Sequence, residues 1–404
     1  MKTTKKLVSL GLVAVMAASL TACGGKSDNG TTTAGTAETT AAADAGTAEQ
    51  TAGGSFKLGG IGPITGATAI YGQAVMNGAE LAINEINAAG GVLGKQLELY
   101  VADDGGLADT GINATNLIAS QGVVAQVGPN LSGLALAVEG IVSEAGYPML
   151  VGATSPKLVT EVDNEWLFRI RASDSIQAEL AAVYATENLG CKKIGLFTNS
   201  NDYGTGARTV AEAYFKEHGI DYVTEEHNTG DTDMTSQILK LMNEGVDCVI
   251  VWTDDAETAL AARQFYDLGL DVPVIGSTSI STPQVNELCE PEWLDNWYSC
   301  TDFTTSNPSE IVQNFVENFK AAYGEEPELY ATTYYGSIYI VADAIGRAGS
   351  TDPAAIRDAL AATEGLEGPL ATYTADDIRE MVHGGTICKM VDGKAEFLEY
   401  ILVE

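Results

Sequence analysis

From residue 56 onward two patterns alternate: short apolar runs that end in glycine, proline or hydroxyl residues, and longer polar stretches with apolar positions three and four apart. The first pattern predicts buried parallel strands that break into loops at the carboxyl edge of a sheet, and the second predicts amphipathic helices. Residues 57–61 form such a run, closed by Gly62-Pro63. Val75, Ala79, Ala82, Ile83 and Ile86 then fall at i, i+4, i+7, i+8 and i+11, one stripe of a helix that Gly90-Gly91 stops. Residues 96–102 predict a second strand with Asp103-Asp104 at its tip, completing a βαβ unit whose crossover is right-handed.

The alternation continues with a helix over 108–120, a strand over 123–127, a helix over 134–145 and a strand over 148–151. The loops after these strands, Gly128-Pro129-Asn130-Leu131-Ser132-Gly133 and Gly152-Ala153-Thr154-Ser155-Pro156, combine glycine with hydroxyl side chains, as does the loop after residue 61. Parallel pairing brings all three to one rim, the place where open α/β sheets bind ligands. Residues 166–171 predict a further strand and Ala172-Ser173-Asp174 a crossing segment.

A second series then begins. Helices are expected over 176–189, up to His218, along Met234, Ile238, Leu241 and Met242, and around Ala261, Phe265 and Leu268. Strands are expected over 193–198, 221–226, 246–252 and 272–275, with terminal loops carrying Asn201-Asp202-Tyr203-Gly204, Thr253-Asp254-Asp255 and Gly276-Ser277-Thr278-Ser279. From Asp302 the pattern returns to the first series, with a stripe of Ile311, Phe315, Phe319 and Ala322 and an apolar helix over 334–347. Segments 386–391 and 396–402 around Asp392-Gly393 read as a strand pair with a tight turn, closing on the second lobe.

A chain of 404 residues with 45% hydrophobic composition exceeds one comfortable core, so two α/β lobes are expected. Lobe 1 is assigned 55–174 plus 302–382, and lobe 2 is assigned 175–301 plus 383–404. The formal charge of -34 repels phosphate backbones and anionic lipid, which excludes a nucleic-acid partner.

Lys2, Lys5 and Lys6 precede an apolar run over 7–20 that is too short to span a bilayer, so 1–22 reads as a signal peptide. Leu20-Thr21-Ala22-Cys23 resembles the bacterial lipobox, which makes Cys23 a lipidated N-terminus and gives the mature chain a charge of -34 - 3 = -37. Residues 24–54 hold no Leu, Ile, Val or aromatic side chain and read as a flexible tether. Of the remaining cysteines, Cys191 and Cys248 open predicted strands as buried thiols, while Cys289 and Cys300 are placed to close a surface loop.

Catalytic constellations are missing from the pattern. There is no G-x-S-x-G, no H-E-x-x-H and no P-loop, and no metal-ligand spacing or cofactor motif. Gly60-x-Gly62 is followed by Gly66 one residue too late for a dinucleotide fingerprint. The pairs Asp103-Asp104 and Asp254-Asp255 suit helix capping or solvated strand ends, with Asp254 also placed to face a ligand.

The ordered set IGPITGATAIYGQAVMNGAELAINEINAAGGVLG, ADD, GPNLSG, GATSP, FRIRASD, NDYG and ATTYYGSIYIVADAI, behind a lipoprotein start, resembles the leucine/isoleucine/valine-binding family of solute-binding lipoproteins. The resemblance implies a type I periplasmic-binding-protein fold: two doubly wound parallel-sheet lobes joined by a three-strand hinge. It also implies a monomer that closes on a branched-chain or other apolar amino acid and delivers it to an ABC permease, without catalysis. Carried onto this sequence, the family's α-carboxylate site falls on Ser132, Gly152 and Thr154, its lobe-two aromatic on Tyr203, and its side-chain pocket on Tyr71. The family's amino-acid binders place a Glu near Thr278 against the ligand ammonium; here Asp254 is the expected substitute, with Asp202 a second possibility. Without such a substitute the ligand is an amide or a simple carboxylate. A sensor that presents the closed lobes to a receptor is the rival to transport.

Overall fold

The computed structural model describes residues 54–402 apart from Ala67, so the signal peptide, Cys23 and nearly all of the tether lie outside the described residues. The first series comprises β1 (Ser55–Gly62), α1 (Ala69–Ala88), β2 (Gln96–Asp103), α2 (Ala108–Ala119), β3 (Ala125–Val127), α3 (Ser132–Ala145), β4 (Met149–Val151), α4 (Lys157–Thr160) and β5 (Leu167–Arg169). Its strands pair in the order β2-β1-β3-β4-β5, parallel throughout. The α1 stripe is buried as the spacing requires, with Val75, Ala79 and Ala82 fully covered.

The second series runs α5 (Asp174–Val183), β6 (Lys193–Asn199), α6 (Asp202–His218), β7 (Asp221–His227), α7 (Thr235–Glu244), β8 (Cys248–Trp252), α8 (Asp255–Leu268), β9 (Val274–Gly276), α9 (Pro283–Leu288) and β10 (Trp297–Thr301). After α10 (Glu310–Tyr323), α11 (Leu329–Ala348), α12 (Pro353–Ala361) and the small pair β11 (Leu366–Glu367) and β12 (Thr372–Tyr373), the chain ends in β13 (Gly384–Val391) and β14 (Lys394–Leu402). The second sheet has the order β14-β13-β10-β9-β8-β6-β7. It is mixed rather than purely parallel, because β13 runs antiparallel to both β10 and β14.

Helices α10 and α11 return to the first sheet, where α11 packs along α1. Gly78 permits that approach, since a Cβ there would stand 2.0 Å from the Ala331 carbonyl oxygen. The chain thus passes between the sheets after β5, after β10 and before β13.

Three expectations give way. In α10 Phe315 and Phe319 are buried as expected, but Val312 takes the buried place of Ile311, and Ile311 and Ala322 are exposed, because the helix is tilted toward the Val312 edge of its apolar face. Cys289 and Cys300 are free thiols, and Cys300 lies buried inside strand β10, so no surface loop is there to close. Of the two readings of Asp103-Asp104, helix capping gives way, since the N-cap position of α2 is Leu107, while Asp103 stands half-exposed at the end of β2. Asp103 instead accepts from Thr65 N (3.1 Å), Thr65 Oγ1 (2.5 Å) and Gly105 N (2.9 Å), tying the first rim loop down.

Candidate functional site

The rim loops of the first sheet are knitted by backbone bonds. Gly128 N donates to Leu150 O (2.8 Å), Gly152 N to Pro129 O (3.2 Å), and Ser155 N to Ser132 Oγ (3.1 Å). A Cβ on Gly152 would stand 2.0 Å from Asn130 Oδ1, so only glycine lets the two loops close on each other. Arg169, fully buried and ion-paired with Glu380, braces the same loop from beneath by donating to Ser155 O (2.7 Å) and Thr154 O (3.3 Å). Ser132, Gly152 and Thr154 therefore stand together, as the resemblance implied.

From the second sheet, Tyr203 enters in the first turn of α6 behind the N-cap Asn201, whose side chain accepts from Gly204 N (3.0 Å). Its ring lies 6.1 Å from that of Trp252, the last residue of β8. Asp254 occupies the N-cap position of α8 without bonding the helix amides. Its Oδ2 accepts from Asn201 Nδ2 (2.8 Å) and Asn199 Nδ2 (3.1 Å). Burial, reinforced by the charge of Glu257, pushes its carboxyl up to about 6. Asp255 is more deeply placed and accepts from Thr282 Oγ1 (3.1 Å).

The two rims touch. The Tyr71 hydroxyl of α1 hydrogen-bonds with the Asp255 carboxylate and the Gln284 carboxamide, while its ring meets Tyr330 edge-on at 4.9 Å. Lys157 Nζ reaches Asp202 Oδ1 across the same seam (2.5 Å). Asp202 is thereby paired on the surface.

Thr278 sits beside a cation. Arg171, in the crossing segment after β5, donates through Nε to Asp302 Oδ2 (2.7 Å), through Nη1 to Gly152 O (3.3 Å) and through Nη2 to Thr278 Oγ1 (3.3 Å). Burial opposes its charge, but Asp302 more than offsets this and holds the guanidinium above its ordinary value. Asp302 also accepts from Ala172 N (3.1 Å), so two crossing segments are pinned to each other beneath the site.

The group that sequence reasoning passed over is Asp174, at the start of α5. It is 1% exposed, and neither carboxylate oxygen has a hydrogen-bond partner. Its polar neighbours are Thr154, Arg169, Arg171 and Trp252, which pull its pKa down, yet burial wins and raises it to about 7. In the loops of the two rims Ser155 Oγ, Asn130 Oδ1, Trp252 Nε1 and Ser277 Oγ are also buried without partners. The available signal was the run Arg171-Ala172-Ser173-Asp174, two opposite charges in a segment that otherwise reads as buried. Among the described residues no group of acidic, His and Cys side chains is arranged to hold a metal ion.

Two α/β sheets with facing rims, crossed three times by the chain and with unpartnered polar atoms beside the rims, form the architecture of a solute-binding protein. Residues 55–395 match the Periplasmic binding protein family, and the chain belongs to that family. It is 31% identical over 346 residues to a Leu/Ile/Val-binding protein homolog 3 of Brucella melitensis, covering 85% of this chain and 93% of the relative.

Among solved structures it resembles the branched-chain amino acid transporter substrate binding protein LivJ from Streptococcus pneumoniae, determined with isoleucine (29% identity, TM-score 0.78, 86% of this chain and 99% of that one). It also resembles a leucine binding protein LivK from Thermotoga maritima (26% identity, TM-score 0.79, 86% and 99%). The fold is the type I periplasmic-binding-protein fold expected from the sequence, and the family binds solutes rather than catalysing reactions.

Proposed function

We propose that this chain is the extracytoplasmic solute receptor of an ABC importer, tethered to the bacterial membrane through a lipid on Cys23, and that it holds an α-amino acid between two lobes. The lobes are 55–174 with 302–382 and 175–301 with 383–404, a division that follows the distribution of strands between the sheets. The observation that carries the reading is the concentration of buried, unpartnered polar atoms at Asn130, Ser155, Asp174, Trp252 and Ser277, all beside the meeting rims. Buried polar atoms without partners are costly, and a ligand that supplies the missing partners removes the cost.

The ligand carboxylate is assigned to Ser132, the Gly152 loop and the Thr154 hydroxyl, where neutral donors on a braced backbone suit an anion. The ammonium is assigned to Asp174 in preference to Asp254. Asp254 already accepts two amide hydrogens, whereas Asp174 accepts none. Tyr203 and Trp252 cover the head group, and Tyr71 borders the side chain. The relatives' names supply leucine, isoleucine and valine as the reference solutes, and a branched-chain or other apolar amino acid is the reading they support.

Calorimetric titration of the refolded, ligand-free mature protein with amino acids and with their amine-free carboxylate analogues tests the head-group assignment. Binding of the amino acids alone is the expected result; equal binding of the amine-free analogues would remove Asp174 from its role. For the anchor, Cys23→Ala is expected to release the protein from the membrane fraction, and continued membrane association in that variant counts against lipidation.

A further inference from the structure

The wall beyond the head group is not apolar. Arg171 lies with its guanidinium carbon 5.9 Å from the centre of the Tyr330 ring, and the Tyr71 ring meets Tyr330 edge-on at 4.9 Å. Past Tyr71 stand Asp255 and Gln284, both bonded to its hydroxyl. A buried cation and a buried carboxylate thus flank one pair of tyrosine rings.

Each end of this wall is short of a partner. A guanidinium carries five N–H groups, and Arg171 directs one to Asp302, one to Gly152 and one to Thr278, which leaves two. At the other end the Tyr71 hydroxyl has a single hydrogen to share between two oxygens, one on Asp255 and one on Gln284. The first end is rich in donors and the second in acceptors.

We propose that the side-chain end of the cleft recognises a carboxamide, so that the solute is an amino acid of the glutamine or asparagine class, with Arg171 donating to the amide oxygen and Asp255 accepting from the amide nitrogen. This inference rests on the amino-acid reading above and replaces the apolar side chain with a polar one. A carboxamide offers an acceptor and a donor on one flat group. An isobutyl side chain would strip water from Arg171 and Asp255 and return no hydrogen bond. A side-chain carboxylate would meet Asp255, and a side-chain ammonium would meet Arg171. Sites built to bond a polar group discriminate strongly against an analogue that lacks it, because their own buried groups are left unpaired.

The test is calorimetric titration of the refolded mature protein with L-glutamine, L-leucine, L-glutamate and L-lysine, repeated on Arg171→Met. Glutamine is expected to bind at least about tenfold more tightly than the other three. Arg171→Met is expected to weaken glutamine at least about tenfold more than it weakens leucine, a ratio that a purely structural role would not alter. If Arg171→Met does not fold, Gln284→Leu reads the same ratio from the opposite end of the wall. Leucine, glutamate or lysine binding as tightly as glutamine overturns the carboxamide assignment and leaves the amino-acid receptor standing. Binding of none of the four overturns both.

Discussion

The loops that follow the strands of the first sheet and those that follow the strands of the second meet at one seam with different chemistry. On the first side Ser132, Gly152 and Thr154 are neutral, and they are held by backbone bonds between neighbouring loops and by Arg169 beneath them. On the second side Tyr203 and Trp252 are aromatic and Asp254 and Asp255 acidic, and the two aspartates are held by side-chain bonds to Asn199, Asn201 and Thr282. The first rim is suited to hold a ligand before closure, since its donors are fixed without help from the other lobe. On the proposed reading the second rim supplies charge and cover once the lobes meet. Asp174 opens α5 in the segment that joins them, near Thr154 of the first rim and Trp252 of the second.

The sharpest test of this division is Asp174→Asn. Leaving a ligand ammonium buried without its carboxylate costs several kcal/mol, so amino-acid affinity is expected to fall by about 100-fold or more in titration calorimetry. The ligand-free protein is expected to melt at the same temperature or higher, because an unpartnered buried carboxylate has been removed. Lower stability together with unchanged affinity would make Asp174 a structural residue.

Thr154→Ala comes next, with a loss of about tenfold in affinity and little change in melting, as befits one strong hydrogen bond to a charged ligand. Tyr71→Phe removes the hydroxyl that links α1 to Asp255 and Gln284. It is expected to weaken binding a few-fold and to enlarge the ligand-free molecule in small-angle scattering. Asp254→Asn is expected to change affinity by about twofold or less, since its oxygen already serves Asn199 and Asn201. A loss larger than that of Asp174→Asn would return the ammonium to the second rim.

Acidity sharpens the same contrast. Asp174 titrates at about 7 in the folded, ligand-free protein against 3.8 for an unperturbed group, and Glu328 is likewise raised to about 7 and Asp254 to about 6. For an acid raised on folding, the folded state binds more protons than the unfolded state between the two values. Stability therefore declines as pH climbs from about 4 to about 7 and is level above. Melting of the ligand-free protein across that window is expected to show the decline, and Asp174→Asn to make it shallower. Ligand affinity moves the other way, rising with pH up to about 7 as Asp174 ionises.

Much of this molecule was legible in its sequence. The apolar runs before Gly62, Gly128, Gly152 and Gly276 became strand ends, and the stripe from Val75 to Ile86 became the buried face of α1, because helix and strand periods are local properties of the chain. The resemblance carried Ser132, Gly152 and Thr154 to one place, and backbone pairing set them there. The strand β10 was harder to read, since Trp297-Tyr298-Ser299-Cys300-Thr301 pairs on one side with β9 and on the other, antiparallel, with β13 from the far end of the chain. The phase of α10 likewise depended on which of Ile311 and Val312 the core accepted.

What the sequence by itself determined is the order of strands and helices, the rim on which small hydroxyl-bearing loops collect, and the family to which the chain belongs. Only the tertiary structure decided which charges are paired. Arg171 and Asp302 are 131 residues apart and meet at 2.7 Å, while Asp174, three residues from Arg171, has no partner. A carboxylate's task depends on the dielectric around it and on donors brought from distant segments. Neither is a property of its neighbours in the chain.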